Sequence, residues 1–97
     1  MGDKVLSSAK VAKLIVSAKR VGSALKSDTY HRAASWLTTS QLSKGKVFFI
    51  NNGNRILLQV KGVLNGKNGV FEYIIDEAGN VCHQLFKVGG VINGRPN

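Results

Sequence analysis

Gly69 to Phe86, GVFEYIIDEAGNVCHQLF, is the stretch whose reading decides the fold. Two runs rich in β-branched and aromatic residues, VFEYII and VCHQLF, flank DEAGN, and that pattern reads as an antiparallel hairpin. Gly79 suits the left-handed position of a short loop built on a type I turn, with Glu77, Ala78 and Gly79 as the loop. Such a loop sets Ile75 opposite Val81, Tyr73 opposite His83 and Glu72 opposite Gln84. Side chains alternate faces along a strand, so Glu72 and Gln84 share one side of the hairpin while Tyr73 and His83 share the other.

The chain on either side extends the sheet. KVFFI, residues 46–50, is a first strand, and NNGN is a turn rich in residues that tolerate positive φ. RILLQVKGVL, residues 55–64, is a second strand with Gly62 as a bulge or bend, and NGKNG leads into the hairpin. The tail VGGVINGRPN offers a short edge strand at Val91–Ile92. If NG or NGKN closes the second turn, Gln59, Lys61, Glu72 and Gln84 point one way. The mostly apolar set of Ile56, Leu58, Val60, Phe71, Tyr73, Ile75, Val81, His83 and Leu85 points the other way, toward the helices.

Upstream the periodicity changes to that of helices. Val11, Leu14, Ile15, Ala18, Val21 and Leu25 recur at three and four residues, which predicts a basic amphipathic helix over residues 4–26. Its stripe carries no Trp or Phe to anchor it on a membrane, so the helix is expected on a sheet with its lysines solvated. Ser27 or Asp28 caps a second helix, Thr29 to Leu37, with Ala33, Trp36 and Leu37 buried. Thr38 to Gln41 is a capping box for a third helical turn, which should end at Gly45. The expected fold is therefore α+β: N-terminal helices packed on a four-stranded antiparallel β-meander, one domain over residues 1–97, with helices to residue 45 and sheet from residue 46.

Composition limits what this domain can do. Fourteen Lys and Arg against five Asp and Glu give a formal charge of +9, an excess that favours a polyanion, nucleic acid first. A single cysteine, Cys82, excludes an internal disulfide, and with only two histidines present it cannot complete a Cys-based zinc site. No cofactor or metal is expected: the chain has no Walker loop, no Gly-rich βα turn and no paired carboxylates of the type magnesium nucleases use. No apolar run is long enough to span a membrane, and no signal peptide is visible. The ends, Met-Gly-Asp and Arg-Pro-Asn, suggest a module excised from a longer protein.

Among the five acids, Glu72 alone falls inside a strand. Beside Lys61 and Gln84 it is a candidate general base toward a ribose 2′-hydroxyl. Its structural alternative is a cross-strand ion pair with Lys61, whose loss costs at most about 1 kcal/mol. RNA cleavage also needs an acid for the 5′-oxygen and cations for the phosphate, and histidine titrates in the range that both acid and base require. The two histidines are His31 and His83. His31 and Arg32 lie in the first turn of the second helix, where backbone N–H groups favour an anion, though exposed first-turn residues are common in any helix. His83 has apolar company on its expected face, so a core position is its alternative.

From about Lys26 to Asn97, three quarters of the chain, the runs HRAASWL, LLQVKGVLNGKNGVFEYI and GNVCHQLF…GG…NGRPN resemble a C-terminal toxin module of bacterial polymorphic toxins. Such modules end contact-dependent inhibition, Rhs and LXG proteins and are paired with cognate immunity proteins. The order of helices then meander is similar to the barnase, EndoU, colicin and RelE group of metal-independent RNases. The resemblance implies an endoribonuclease toxin cleaving RNA to a 2′,3′-cyclic phosphate, secreted or delivered from the cell surface as part of a larger toxin and acting in the cytoplasm of the target bacterium. Its partners would be RNA and an acidic immunity protein. The resemblance carries over His31, Glu72, His83 and Gln84; together with the reading of the residues, His31, Glu72 and His83 are the catalytic candidates and Arg32, Arg55, Gln59, Lys61, Tyr73 and Gln84 the substrate-binding ones. Family members often have a basic residue near position 85; Leu85 here shifts the phosphate-holding role to Lys61, Arg32 or Arg55. Two other readings are a DNase toxin on the same scaffold, which needs a water nucleophile and normally a metal, and a non-catalytic RNA- or membrane-binding module.

Overall fold

The structure, a computed structural model, describes residues 7–97. Helices come first: α1 (Ser8–Ser17), a 3₁₀ turn (Gly22–Leu25), α2 (Thr29–Ala33) running into a second 3₁₀ turn (Ala34–Trp36), and α3 (Thr39–Leu42). Four strands complete the fold, β1 (Lys46–Ile50), β2 (Arg55–Leu64), β3 (Lys67–Ile75) and β4 (Val81–Val88), in one antiparallel sheet ordered β1-β2-β3-β4. The helices cover one face of this meander, so the fold is α+β as expected.

Turn chemistry sets the register of the first two hairpins. Asn65 (φ 52°) and Gly66 (φ 77°) form the two-residue turn between Leu64 and Lys67, the left-handed pair whose twist matches that of the strands it joins. The resulting register puts Gln59 opposite Glu72 and Leu58 opposite Tyr73. Gly62 is not a bulge. It stays in register opposite Gly69, and glycine is required because an added Cβ would lie 2.5 Å from the Phe71 ring.

The helical half is more broken than its periodicity predicts. Residues 4–6 of the expected first helix lie outside the described residues. α1 starts at its Ser7 cap, and the chain is extended again from Ala18. Val21 N–H then donates to Val81 O (3.0 Å) and Val81 N–H to Lys19 O (2.9 Å), which ties this segment to the edge of β4. Arg20 explains the break: its guanidinium donates to the carbonyls of Ile15 and Ala18 at the helix end and to Gln84 Oε1 at 3.0 Å. Of the expected stripe, Val11 and Ile15 are buried while Leu14 and Leu25 are exposed. Asp28 caps α2 by accepting from the N–H groups of Tyr30 and His31, and the Thr38–Gln41 capping box is present. α3 stops at Leu42, short of Gly45. Trp36, expected in the core, is exposed, because the tighter 3₁₀ continuation of α2 turns Ala33 and Ala34 inward in its place.

Between the layers, Val11, Ile15, Leu42, Leu58, Tyr73, Ile75, Val81 and Phe86 form the core. Fully burying side chains of this size contributes about 1.5–3 kcal/mol each before entropy is set against it. Phe71 and Phe86 meet at a centroid distance of 4.7 Å, and the Tyr73 hydroxyl donates to Ala34 O at 2.6 Å. Gln84 is also on this side, accepting from Arg20 and donating to Ser35 Oγ at 2.7 Å.

The position of Gln84 reverses the expected faces of the last hairpin. The loop Glu77–Gly79 and the Ile75–Val81 rung are as expected, but a bulge comes next, and Ile74 pairs with His83, Tyr73 with Gln84 and Glu72 with Leu85. The residue it adds is Cys82, whose carbonyl is taken by Ser23 Oγ at 3.1 Å. One extra residue exchanges the faces of everything beyond it. His83 therefore shares a face with Glu72, while Gln84 and Phe86 go under the helices. The tail departs from expectation as well: Val91–Ile92 is not an edge strand, and residues 89–97 cross the second face of the sheet without regular structure.

Candidate active site on the tail face

Four rungs make up the face turned away from the helices. Arg55 opens it; then come Phe48–Leu57–Ile74–His83, Lys46–Gln59–Glu72–Leu85, and Lys61–Val70–Lys87. The tail lies over the middle. Gln59 Oε1 accepts from the N–H groups of Asn93 (3.0 Å) and Gly94 (3.1 Å), and Gln59 Nε2 donates to Arg95 O (2.8 Å). Asn97 closes the loop on itself through Val91, accepting from its N–H and donating to its carbonyl.

Glu72 sits beneath this tail with no exposed surface, a carboxylate in the middle of a sheet. A buried charge must be compensated, and five contacts from three residues do so. Oε1 accepts from Gln59 Nε2 (3.2 Å), Asn97 Nδ2 (2.9 Å) and Asn97 N (3.1 Å); Oε2 accepts from Asn97 N (3.2 Å) and His83 Nε2 (2.8 Å). Burial alone pushes the carboxyl up, but the donors, His83 foremost and then Asn97 and Gln59, outweigh it and hold Glu72 below the ordinary carboxylate range. The expected ion pair with Lys61 is not formed: Lys61 is exposed opposite Val70, and Glu72 pairs with His83 instead.

Because Glu72 is ionised, His83 Nε2 must carry the hydrogen of the bond between them. In the neutral ring the lone pair is then on Nδ1. The His83 side chain is 24% exposed, so the pair has a buried end and a solvent end. That is the arrangement of a general base: the carboxylate fixes the tautomer and stabilises the imidazolium once a proton is taken up. The same face carries Lys46, Arg55, Lys61 and Lys87, with Arg95 in the tail; Arg55 is one rung from His83, and Lys61 and Lys87 are two. Among the described residues, only Arg55 of these has an acidic partner, Glu77 at 3.3 Å. Burial raises the Cys82 thiol above its ordinary value, with Arg55 opposing only in part, which disfavours the thiolate. Among the described residues no three His, Cys, Asp or Glu side chains converge as metal ligands.

The remaining candidates lie elsewhere. His31 is on α2, in the opposite layer, its Nδ1 held 2.6 Å from Asp28 Oδ2, and Arg32 is exposed beside it. Tyr73 and Gln84 are sealed under the helices, where they join β3 and β4 to α2 and its 3₁₀ turn. Gln59 is on the right face but fully covered by the tail it holds. Sequence reasoning missed Asn97, Arg95, Lys46 and Lys87. The available signal was Glu72 itself: an acid in a strand needs several donors, and the polar run NGRPN was free to supply them.

No protein-family model, no curated protein and no solved structure matches this chain.

Proposed function

We propose that this domain is an endoribonuclease that uses His83 as base, with Glu72 orienting it. The observation that carries the reading is the 2.8 Å bond between a partly exposed histidine and a buried, ionised carboxylate on a face lined with cations. In the proposed step the 2′-hydroxyl gives its proton to His83 Nδ1 as the 2′-oxygen attacks the adjacent phosphorus. The P–O5′ bond breaks, the 5′-oxygen takes a proton from water, and a 2′,3′-cyclic phosphate remains. Arg55, one rung from His83, offsets the charge that builds on the phosphate oxygens, while Lys61 and Lys87, two rungs away, hold phosphates farther along the strand. No metal enters this step. His31 has no part in it, since a sheet separates its layer from Glu72.

A cationic active face also suits the role of a toxin held in check by an acidic immunity protein and released into another cell's cytoplasm, and we extend the proposal to that role. Incubating the purified domain with total RNA and with DNA, each with and without EDTA, is the direct test. RNA cleavage unaffected by EDTA, with DNA intact, supports the reading. Binding without product returns the domain to the non-catalytic class, and EDTA-sensitive DNA cleavage makes it a DNase.

A further inference from the structure

Trp36, the chain's single tryptophan, stands 62% exposed on the 3₁₀ turn that continues α2. A solvated indole forgoes the burial that usually places Trp inside a domain, and an exposed large aromatic beside apolar surface marks a binding site. Trp36 borders a groove of about 740 Å³ whose other walls include Leu37, Lys44, Lys46 and Lys61, with Phe71 beneath. Among the described residues no acidic one lines it, and none of the three lysines is in an ion pair. Lys61, Gly62 and Val63 also line a second groove of about 480 Å³, together with Gly89 and Gly90 at the root of the tail. An aromatic platform beside unpaired lysines has the parts that bind single strands: bases stack on the ring and phosphates track the cations.

We propose that this groove is a subsite for single-stranded RNA, with one base stacked on the Trp36 indole and its flanking phosphates on Lys44, Lys46 and Lys61. The inference rests on the RNA-cleaving reading for its choice of polymer, and it supplies what the Glu72–His83 pair lacks, a means of holding the strand away from the scissile bond. Lys46 and Lys61 join the two, since both belong to the groove and to the catalytic face.

The single tryptophan reports on its own site. A dye-labelled, fully 2′-O-methylated oligonucleotide, which cannot be cleaved, is titrated into the protein while label anisotropy and Trp36 emission are both recorded. Quenching should saturate with the same midpoint as anisotropy. Trp36→Ala should weaken binding about 5- to 150-fold, the range of one lost base–aromatic stack, while Trp36→Phe keeps most of the affinity. Lys44→Ala combined with Lys46→Ala should make the log–log salt slope shallower by about 1.4, two single-strand phosphate contacts. Trp36 is exposed, so its variants should melt like the parent, and circular dichroism checks this. Binding with unchanged Trp36 emission and unaltered affinity in Trp36→Ala overturns the subsite, whatever happens to cleavage. Quenching by polyglutamate but not by the oligonucleotide also overturns it, in favour of an acidic protein surface. Loss of cleavage in His83→Ala with the quench preserved supports the subsite separately from the chemistry; cleavage retained in His83→Ala sinks the catalytic assignment while the quench still supports the groove.

Discussion

Replacing Glu72 by Gln preserves the side chain's shape and removes its charge, so the hydrogen bonds around it must be redistributed. In the orientation that loses least, the amide oxygen takes the Oε1 position and keeps the bonds from Gln59 and Asn97. The NH2 group then faces His83 Nε2, which must accept instead of donate, so the ring proton moves to Nδ1. Stability falls because three donors now meet a neutral acceptor instead of a charged one. Relief of the desolvation cost offsets part of that loss, and the remainder is about 1–3 kcal/mol. In a domain of this size each 1 kcal/mol is about 4–8 °C of Tm, so the variant should melt about 5–20 °C lower. That the ionised form is favoured in the fold, as the lowered pKa of Glu72 requires, sets the sign. This stabilisation is present above the ordinary glutamate value of about 4.3 and is lost as pH falls through the lower folded value, so the gap between parent and variant should close in acid. Activity should fall further than stability. With Nδ1 protonated that nitrogen cannot take the 2′-hydroxyl proton, and a wrong tautomer in a comparable triad costs about 10⁴-fold in kcat. Melting curves, cleavage rates on folded protein and the ¹⁵N shifts of His83 measure the three effects together. A variant that stays folded and cleaves at the parental rate would refute the catalytic assignment. A melting point equal to the parent's would refute the account of the buried carboxylate.

His83→Ala should reduce cleavage about 10²–10⁴-fold, whereas His31→Ala, in the other layer, should leave the rate on folded protein unchanged; single-turnover assays with melting controls separate them. RNA affinity should drop steeply between 50 and about 200 mM salt, and a flat titration would make the +9 charge a solubility device. Lys61→Glu should weaken both RNA binding and association with an acidic inhibitor, the latter mainly through a slower on-rate at low salt in stopped-flow traces. Tyr73→Phe strands the buried carbonyl of Ala34 and should cost about 1–3 kcal/mol in denaturant unfolding without changing cleavage per folded molecule.

Local chemistry carried most of the architecture. The alternation through β2 and β3 and the Thr38–Gln41 box are where the sequence puts them, and the Asn65–Gly66 turn and the Asp28 cap are each one of two alternatives that the sequence leaves, NG or NGKN and Ser27 or Asp28; all act within a few residues. The pairing of Gln59 with Glu72 came from the two-residue turn, because a turn fixes register for as long as the strands run regularly. Three features depend on partners far away in the chain. The bulge at Cys82 accompanies contacts from residues 19–23, which occupy the main-chain groups of Val81 and Cys82 and so bring His83 round to Glu72. The burial of Glu72 depends on a tail with no periodicity to announce it, held by Gln59 and closed by Asn97. The exposure of Trp36 depends on two alanines filling the space beneath α2 first. A hydrophobic pattern states which residues seek cover, but whether a given polar side chain ends in a core network or at a site is decided by which donors the folded chain brings to it. Glu72, His83 and Gln84 are adjacent in any reading of the hairpin; a one-residue shift of β4, set from the other end of the molecule, made two of them partners and sent the third under the helices.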